Sequence, residues 1–264
     1  MKIKEYHRPK TMEEAYGILN SGGESAVIGG GAWIRMLPRE LDAAVDISNL
    51  GLGTISEEDG QYVVGSMATL RQIEKFKPFS TLFNGIIARS AGSIMGVSIR
   101  NIATAGGTVA GRFGFSDLIP ALLALDTRLL FYNKGEVSLE DYMELKDSGK
   151  DILMKILIKD REGRGWFHTM KNTSLDFAVL NAAVSNADGR CRIIVGARPY
   201  KAVLAYDAMK FMDACGKPTP AAIREAAEIA AGELKFGSNQ RGSKEYRMEL
   251  CKTLVERGLS EVLL

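Results

Sequence analysis

The sequence predicts an α+β protein: two small α+β units followed by a unit made of an antiparallel sheet and helices. Three observations predict it. The first 55 residues mix short strand-like and helix-like stretches around the glycine turn of "SAVIGGG". Residues 56–162 repeat that mixture on a larger scale. Beyond about residue 163, strand-like runs follow one another directly and then give way to three helices. Strands and helices segregated in this way mark an α+β chain. The predicted units are 1–55, 56–162 and 163–264.

Each element has a local cause. "TMEEAYGILNSGG" predicts a helix that starts at a Thr11/Glu14 capping box and stops at Gly22-Gly23. "SAVI" and "AAVDIS" are short strands, so residues before 55 form a βαββ unit. "QYVVGSMATLRQIEKF" reads as a strand and then a helix capped at Thr69 with Gln72 three residues on. Phe79, Leu82, Phe83, Ile86 and Ile87 space out a helix over 79–91. A glycine-rich loop follows, then one or two buried helical turns over 117–125, the strand "TRLLFYN" and the β-rich run "DILMKILI". "GWFHTMK", "DFAVLNAAVSN" and "CRIIVGA" predict a meander, with a turn at 186–189 between the last two. Helices near 206–215, 219–232 and 243–257 close the chain; Thr219 and Ser243 cap the last two, Pro220 opens one and Gly258 stops the other.

Composition narrows the function. A formal charge of +2 over 264 residues gives no bulk attraction to nucleic acid. Two histidines leave little room for a histidine-rich metal site, and Cys191, Cys215 and Cys251 form neither a CxxC pair nor an iron–sulfur pattern. Three free thiols fit a reducing compartment. "MKIKEYHRPK" lacks a signal-peptide core, and no segment approaches the ~20 apolar residues of a membrane span. A cytoplasmic location is expected.

Two glycine clusters stand out, "VIGGGAW" at 27–33 and "ATAGGTVAG" at 103–111. Bare backbone permits positive φ, and successive free N–H groups make a concave nest for anions. Neither cluster has the spacing of G-x-G-x-x-G or the Gly-Lys-Ser/Thr of a P-loop. Tight turns inside a mixed sheet explain either cluster taken alone. Two clusters, the second long and free of acids, favour a phosphate-bearing ligand, with Thr104 and Thr108 as hydroxyl donors and Arg100 or Arg112 as charge.

"VIGGGAW" followed by "SIRNIATAGGTVAGRFGFSDLIPALLALD" resembles the FAD-binding subunits of the xanthine dehydrogenase and carbon monoxide dehydrogenase family, the molybdenum hydroxylases. "SLDFAVLNAAV", "CRIIVGARPYKAVLA" and "RGSKEYRMEL" extend the likeness over most of the chain. The resemblance implies a vanillyl-alcohol-oxidase-type fold, in which two α+β subdomains clasp FAD and a C-terminal domain closes over the flavin. It implies that Val27, Ile28, Gly29, Gly30, Gly31, Ala32 and Trp33 form a first pyrophosphate loop. It places Ala103, Thr104, Gly106, Gly107 and Thr108 in a second. Ser116 and Asp117 would hold the adenosine ribose or the nearby phosphate region, the acid accepting from a ribose hydroxyl, while Ile152 and Leu153 pack against the cofactor. The implied partners are a large subunit with the molybdenum cofactor and a small subunit with two [2Fe-2S] clusters, with NAD or another molecule as electron acceptor.

The chain departs from the family pattern. Gly31-Ala32 stand where a threonine and an acid are usual, Trp33 replaces an aliphatic residue, and Thr108 replaces an asparagine. Register leaves Thr169 or Lys171 for a lysine that some members place near the isoalloxazine. Trp33 has two readings, a ring stacked on the cofactor or a packing tryptophan. His168 reads as structural, Asp176 as a group that orients the following strand, and the cysteines as small apolar residues. With no catalytic dyad or triad in the chain, the expected role is an FAD-binding electron-transfer subunit. The rivals are a self-contained flavin oxidoreductase of the same fold and a scaffold that has lost FAD.

Overall fold

The computed structural model describes residues 1–147 and 149–264, and its strands fall into three sheets. In the first, β1 (Lys2–His7) and β2 (Ser25–Ile28) both run parallel to the central β3 (Glu40–Asp46). Helix α1 (Met12–Leu19) links β1 to β2 and begins where the Thr11 hydroxyl accepts from the Glu14 N–H at 3.2 Å. The other half of the expected capping box is shifted by one residue, because Glu14 takes the N–H of Lys10 instead.

The second sheet is antiparallel, in the order β4 (Ile55–Glu58), β5 (Gln61–Gly65), β8 (Leu153–Lys159), β6 (Arg128–Phe131), β7 (Gly135–Ser138). Between β5 and β6 lie α2 (Leu70–Lys75), α3 (Ile86–Gly92), α4 (Val97–Ile102), α5 (Ala105–Gly111) and α6 (Leu118–Ala124), and α7 (Leu139–Glu144) follows β7. Helix α2 carries the full capping box of Thr69 and Gln72. Ile152, just before β8, is wholly buried with Ala15, Leu19, Val45 and Ile47, so it joins the first two sheets.

The third sheet runs β12 (Val203–Leu204), β11 (Arg190–Gly196), β10 (Leu180–Ala187), β9 (Arg164–Met170), all antiparallel. Asp188 and Gly189 take φ of 53° and 74°, the left-handed pair that a two-residue hairpin turn requires. Strand β10 is buried on both faces. Leu180, Ala182 and Val184 face α8 (Tyr206–Ala214), α9 (Pro220–Glu233) and α10 (Lys244–Leu263), whereas Ala183 and Ala187 enter the core under α3 and α6. Alternation along one strand thus binds the C-terminal unit to the unit before it.

Three expectations differ from what folds. The helix over 79–91 is broken, since Phe83, Asn84 and Gly85 take φ of 47°, 55° and 77°. Its apolar residues are buried all the same, so burial produced the pattern without a helical period. The glycine-rich loop contains the helices α4 and α5. Gly258 does not stop α10, which runs to Leu263. A Cβ there would sit 2.6 Å from Val184 Cγ2 and 2.8 Å from Trp166 Cε3, so the glycine marks where α10 crosses the sheet. Gly258→Val should therefore destabilise the protein by about 1–3 kcal/mol through overpacking. A lowered urea midpoint checks this, and an unchanged midpoint would show that the crossing can relax.

Candidate functional site

The first glycine loop leaves the carboxyl end of β2, the end of a parallel sheet at which ligands gather. Val27 and Ile28 are still strand, paired with Val45 and Asp46. Beyond them, the N–H groups of Gly29, Gly30, Gly31, Ala32 and Trp33 donate to no protein acceptor among the described residues. Gly31 has φ of 66°. A Cβ on Gly30 would fall inside the Ile102 carbonyl oxygen, and one on Gly29 would sit 2.8 Å from Thr104 Oγ1. The loop therefore lies directly on residues 102–104, and the two glycine clusters form one surface.

The second cluster differs from a bare loop. Ala103 precedes α5 and Thr104 caps it, its hydroxyl accepting from Gly107 N–H at 3.1 Å. The N–H groups of Ala105 and Gly106 donate at 2.8 Å to the carbonyls of Ala68 and Ser66. The N–H groups of Ala105, Gly106 and Gly107 are thus already paired, and Gly106 serves close packing, since a Cβ would meet Ser66 Cβ at 2.6 Å. Gly107 faces outward, where a Cβ would meet only Thr104 Oγ1, at 3.0 Å. The Thr108 hydroxyl donates to the Thr104 carbonyl. Arg100 turns to Glu74 and to the carbonyls of Ile94 and Met95, and Arg112 to the carbonyls of Tyr142 and Leu145, so neither supplies its charge to the glycines.

Asp117 is placed differently from a ribose ligand in an open cleft. It is 4% exposed and fully engaged. Lys171 Nζ pairs with Oδ2 at 3.0 Å, Ser93 Oγ lies 3.2 Å from the same oxygen, and Asn181 Nδ2 donates to Oδ1 at 2.8 Å. Ser116 is buried beside it, its hydroxyl accepting from Ile119 N–H and its carbonyl from Asn181. Because Lys171 follows β9 and Asn181 lies in β10, this network fastens the C-terminal unit to α6. Ile152 and Leu153 are buried, the first in the core that joins the first two sheets and the second in the core under α3 and α6.

Trp33 packs among rings from distant parts of the chain. Its ring centre is 4.7 Å from Phe115, 5.4 Å from Phe113 and 5.6 Å from Phe177. Phe115 and Phe177 also wall a cleft of about 150 Å³ with Gly114, Ala178, Asn239 and Arg241. Asp176 accepts from Phe177 N–H and from Arg241, which lower its carboxyl below the ordinary range; Arg241 lies over the Phe177 ring at 5.1 Å. The motifs "RFGF" and "DFA" contain the phenylalanines, but nothing near them in the sequence signals that Arg241 completes the wall. His168 stacks on Trp166 in β9, and burial, then Arg257, lowers its pKa. Burial pushes the thiols of Cys191 and Cys251 up to about 12, which leaves them unreactive. A wider, more open groove lies elsewhere, between residues 160–164 and the end of α10, and no glycine of either cluster lines it.

Breaking the Asp117–Lys171 pair should be costly, since removal of one partner leaves a buried charge. Lys171→Met is expected to lose about 3–5 kcal/mol in urea unfolding, and Lys171→Met with Asp117→Asn distinctly less. Equal losses in the two proteins would show that the charges do not interact.

The family described as "FAD binding domain in molybdopterin dehydrogenase" matches residues 1–158, and that described as "CO dehydrogenase flavoprotein C-terminal domain" matches residues 166–262. Nicotine 6-hydroxylase medium subunit of Paenarthrobacter nicotinovorans is 27% identical, with 97% of this chain and 96% of that protein covered. Carbon monoxide dehydrogenase medium chain of Hydrogenophaga pseudoflava is 23% identical, with 97% and 96% covered. The solved carbon monoxide dehydrogenase from Hydrogenophaga pseudoflava superimposes with a TM-score of 0.89 at 21% identity over 99% of this chain and 97% of that one. Quinoline 2-oxidoreductase from Pseudomonas putida 86 gives 0.83 at 23% identity over 98% and 96%. Among the described residues, no helix is long and apolar enough to cross a membrane. The fold, the paired glycine clusters and the match across both halves of the chain lead to one conclusion: this protein belongs to the family of FAD-binding subunits of the molybdenum hydroxylases.

Proposed function

We propose that this chain binds FAD non-covalently through the loop 29–33 and serves as the electron exit of a molybdenum hydroxylase. The observation that carries the reading is the run of unpaired N–H groups from Gly29 to Trp33, laid against Ile102 and Thr104. A pyrophosphate supplies acceptors for such a run, Gly30 lets the loop lie on Ile102, and a Cβ on Gly31 would meet nothing within 4 Å. The Thr104 cap keeps α5 in place beneath the loop, and Gly107 keeps the approach open. Trp33, Phe115 and Phe177 provide flat apolar surface for a ring system and exclude water from it. In this proposal Asp117 and Ser116 act by holding the cleft walls together. FAD, when bound, supplies the capacity to take two electrons and pass them on, while the chain provides position and electrostatics.

The relatives support the partners, since their names make them medium or FAD-binding subunits of hydroxylases and dehydrogenases. Those names cover nicotine, xanthine, nicotinate and carbon monoxide. Such diversity over one medium-subunit fold supports substrate oxidation on a separate molybdenum subunit, with electrons arriving through the [2Fe-2S] subunit. NAD is one candidate acceptor, and a reducing, cytoplasmic setting suits the free thiols.

Purified chain given FAD should turn yellow, and acid precipitation should release all the flavin. Gly30→Ala should lose most of the flavin with a native circular-dichroism spectrum, and Gly107→Val likewise. Both variants binding FAD as well as the parent would move the site away from these glycines. In anaerobic mixtures, purines, nicotinate and aldehydes should bleach the flavin only after the molybdenum and iron–sulfur subunits are added. Rapid bleaching of the lone chain would make it a self-contained oxidoreductase.

A further inference from the structure

The boundary between the FAD-binding part and the C-terminal unit holds more positive charge than its acids balance. Arg198 is 4% exposed and donates to the carbonyls of Lys235 at 2.6 Å and Lys201 at 2.7 Å, while its buried Nε has no partner. Arg247 is wholly buried and serves the carbonyls of Val179, Gly237 and Gly242 and the side chain of Asn239. Neither guanidinium forms an ion pair among the described residues. Burial lowers the pKa of Arg198 to about 10, so it stays charged at neutral pH. Lys201 reaches the Met143 carbonyl and Lys235 lies over the Tyr200 ring, again without an acid. Arg241 has one acid, Asp176, and reaches furthest toward the aromatic cluster, through its contact with Phe177.

Carbonyl dipoles offset only part of the cost of burying a guanidinium, and an opposite charge offsets more. The cleft walled by Phe115, Phe177, Asn239 and Arg241 opens beside these groups. Asn239 touches Arg247, and Pro199, beside Arg198, lines the same cleft. The aromatic cluster joins this cleft to the loop 29–33. Arg241 therefore reaches Trp33 of the loop through the Phe177 ring.

We propose that this positive boundary stabilises the negative charge that a bound flavin ring gains on reduction, so that Arg241, backed by Arg198 and Arg247, raises the flavin's reduction potential. The inference rests on the FAD-binding reading above. The change is FAD + 2 e⁻ + H⁺ → FADH⁻ near neutral pH, and the positive field favours the product over the neutral oxidised ring. Asp176 orients Arg241 and trims its charge without cancelling the rest.

The test uses the full chain loaded with FAD, and two variants: Arg241→Gln, and Lys201→Met with Lys235→Met. The visible spectrum gives flavin occupancy. Reductive titration against a reference dye gives the potential, with dithionite as electron donor, itself oxidised to sulfite. Arg241→Gln should keep its flavin and shift the two-electron equilibrium about tenfold toward the oxidised form, a fall of about 30 mV. The lysine pair, more exposed and more screened, should shift it about threefold in the same direction. Should Arg241→Gln fail to fold or to hold FAD, the lysine pair decides. Unchanged potentials in flavin-loaded variants would overturn the proposal. A parent chain that takes up no FAD would instead overturn the binding reading, and this inference with it.

Discussion

The close approach of Gly30 to the Ile102 carbonyl is the constraint on which the site depends. The loop after β2 belongs to the first sheet, and Ile102 ends a helix attached to the second. No residue with a side chain lets the two backbones meet. Once they meet, Gly29 comes up against the Thr104 hydroxyl, which is also the cap of α5. One contact thus sets the loop conformation, the start of the next helix and the direction in which five N–H groups point. It also explains why the two clusters divide their labour. The second gives its N–H groups to Ser66, Ala68 and Thr104 and becomes a rigid floor, which leaves the first with donors to spare.

The C-terminal unit is held to that floor by two devices of different character. One is apolar, the insertion of alternate β10 residues into the core beneath α6. The other is the buried set of Asp117, Lys171, Ser93 and Asn181. Apolar contact supplies most of the stabilisation, being roughly proportional to buried area. The polar set adds direction, since each donor accepts only one placement of the carboxylate. A cleft between two units stays open to a ligand only if something other than the ligand fixes their spacing, and this network does so from below.

Much of the fold was legible in the sequence because its signals are local. Thr11, Thr69, Thr219 and Ser243 all cap the helices they were expected to cap. The turn at 186–189 joins the two strands it was expected to join. The signals that misled are those whose cause lies elsewhere in the chain. Gly106 looks like a loop residue, but it is a helix position pressed on Ser66. Gly258 looks like a helix stop, but it is the crossing point of α10 over Trp166 and Val184. Asp117 looks like a ligand-facing acid, yet Lys171, 54 positions on, takes it inward. Trp33 was open to two readings, and its contact with three phenylalanines is visible only once the units are assembled. The positive boundary was hidden for the same reason, since Arg198, Arg241 and Arg247 carry no motif and gather through loops.

If the loop 29–33 is where an anion is held, its amides must report the anion and those of the second cluster must not. Amide proton and nitrogen shifts of Gly29, Gly30, Gly31 and Gly106 can be followed as FAD is added to labelled protein. The predicted result is a large downfield shift and slowed hydrogen exchange at Gly29–Gly31, with Gly106 unmoved because its N–H already donates to Ser66. Strong perturbation at Gly106 with Gly29–Gly31 unchanged would contradict the account.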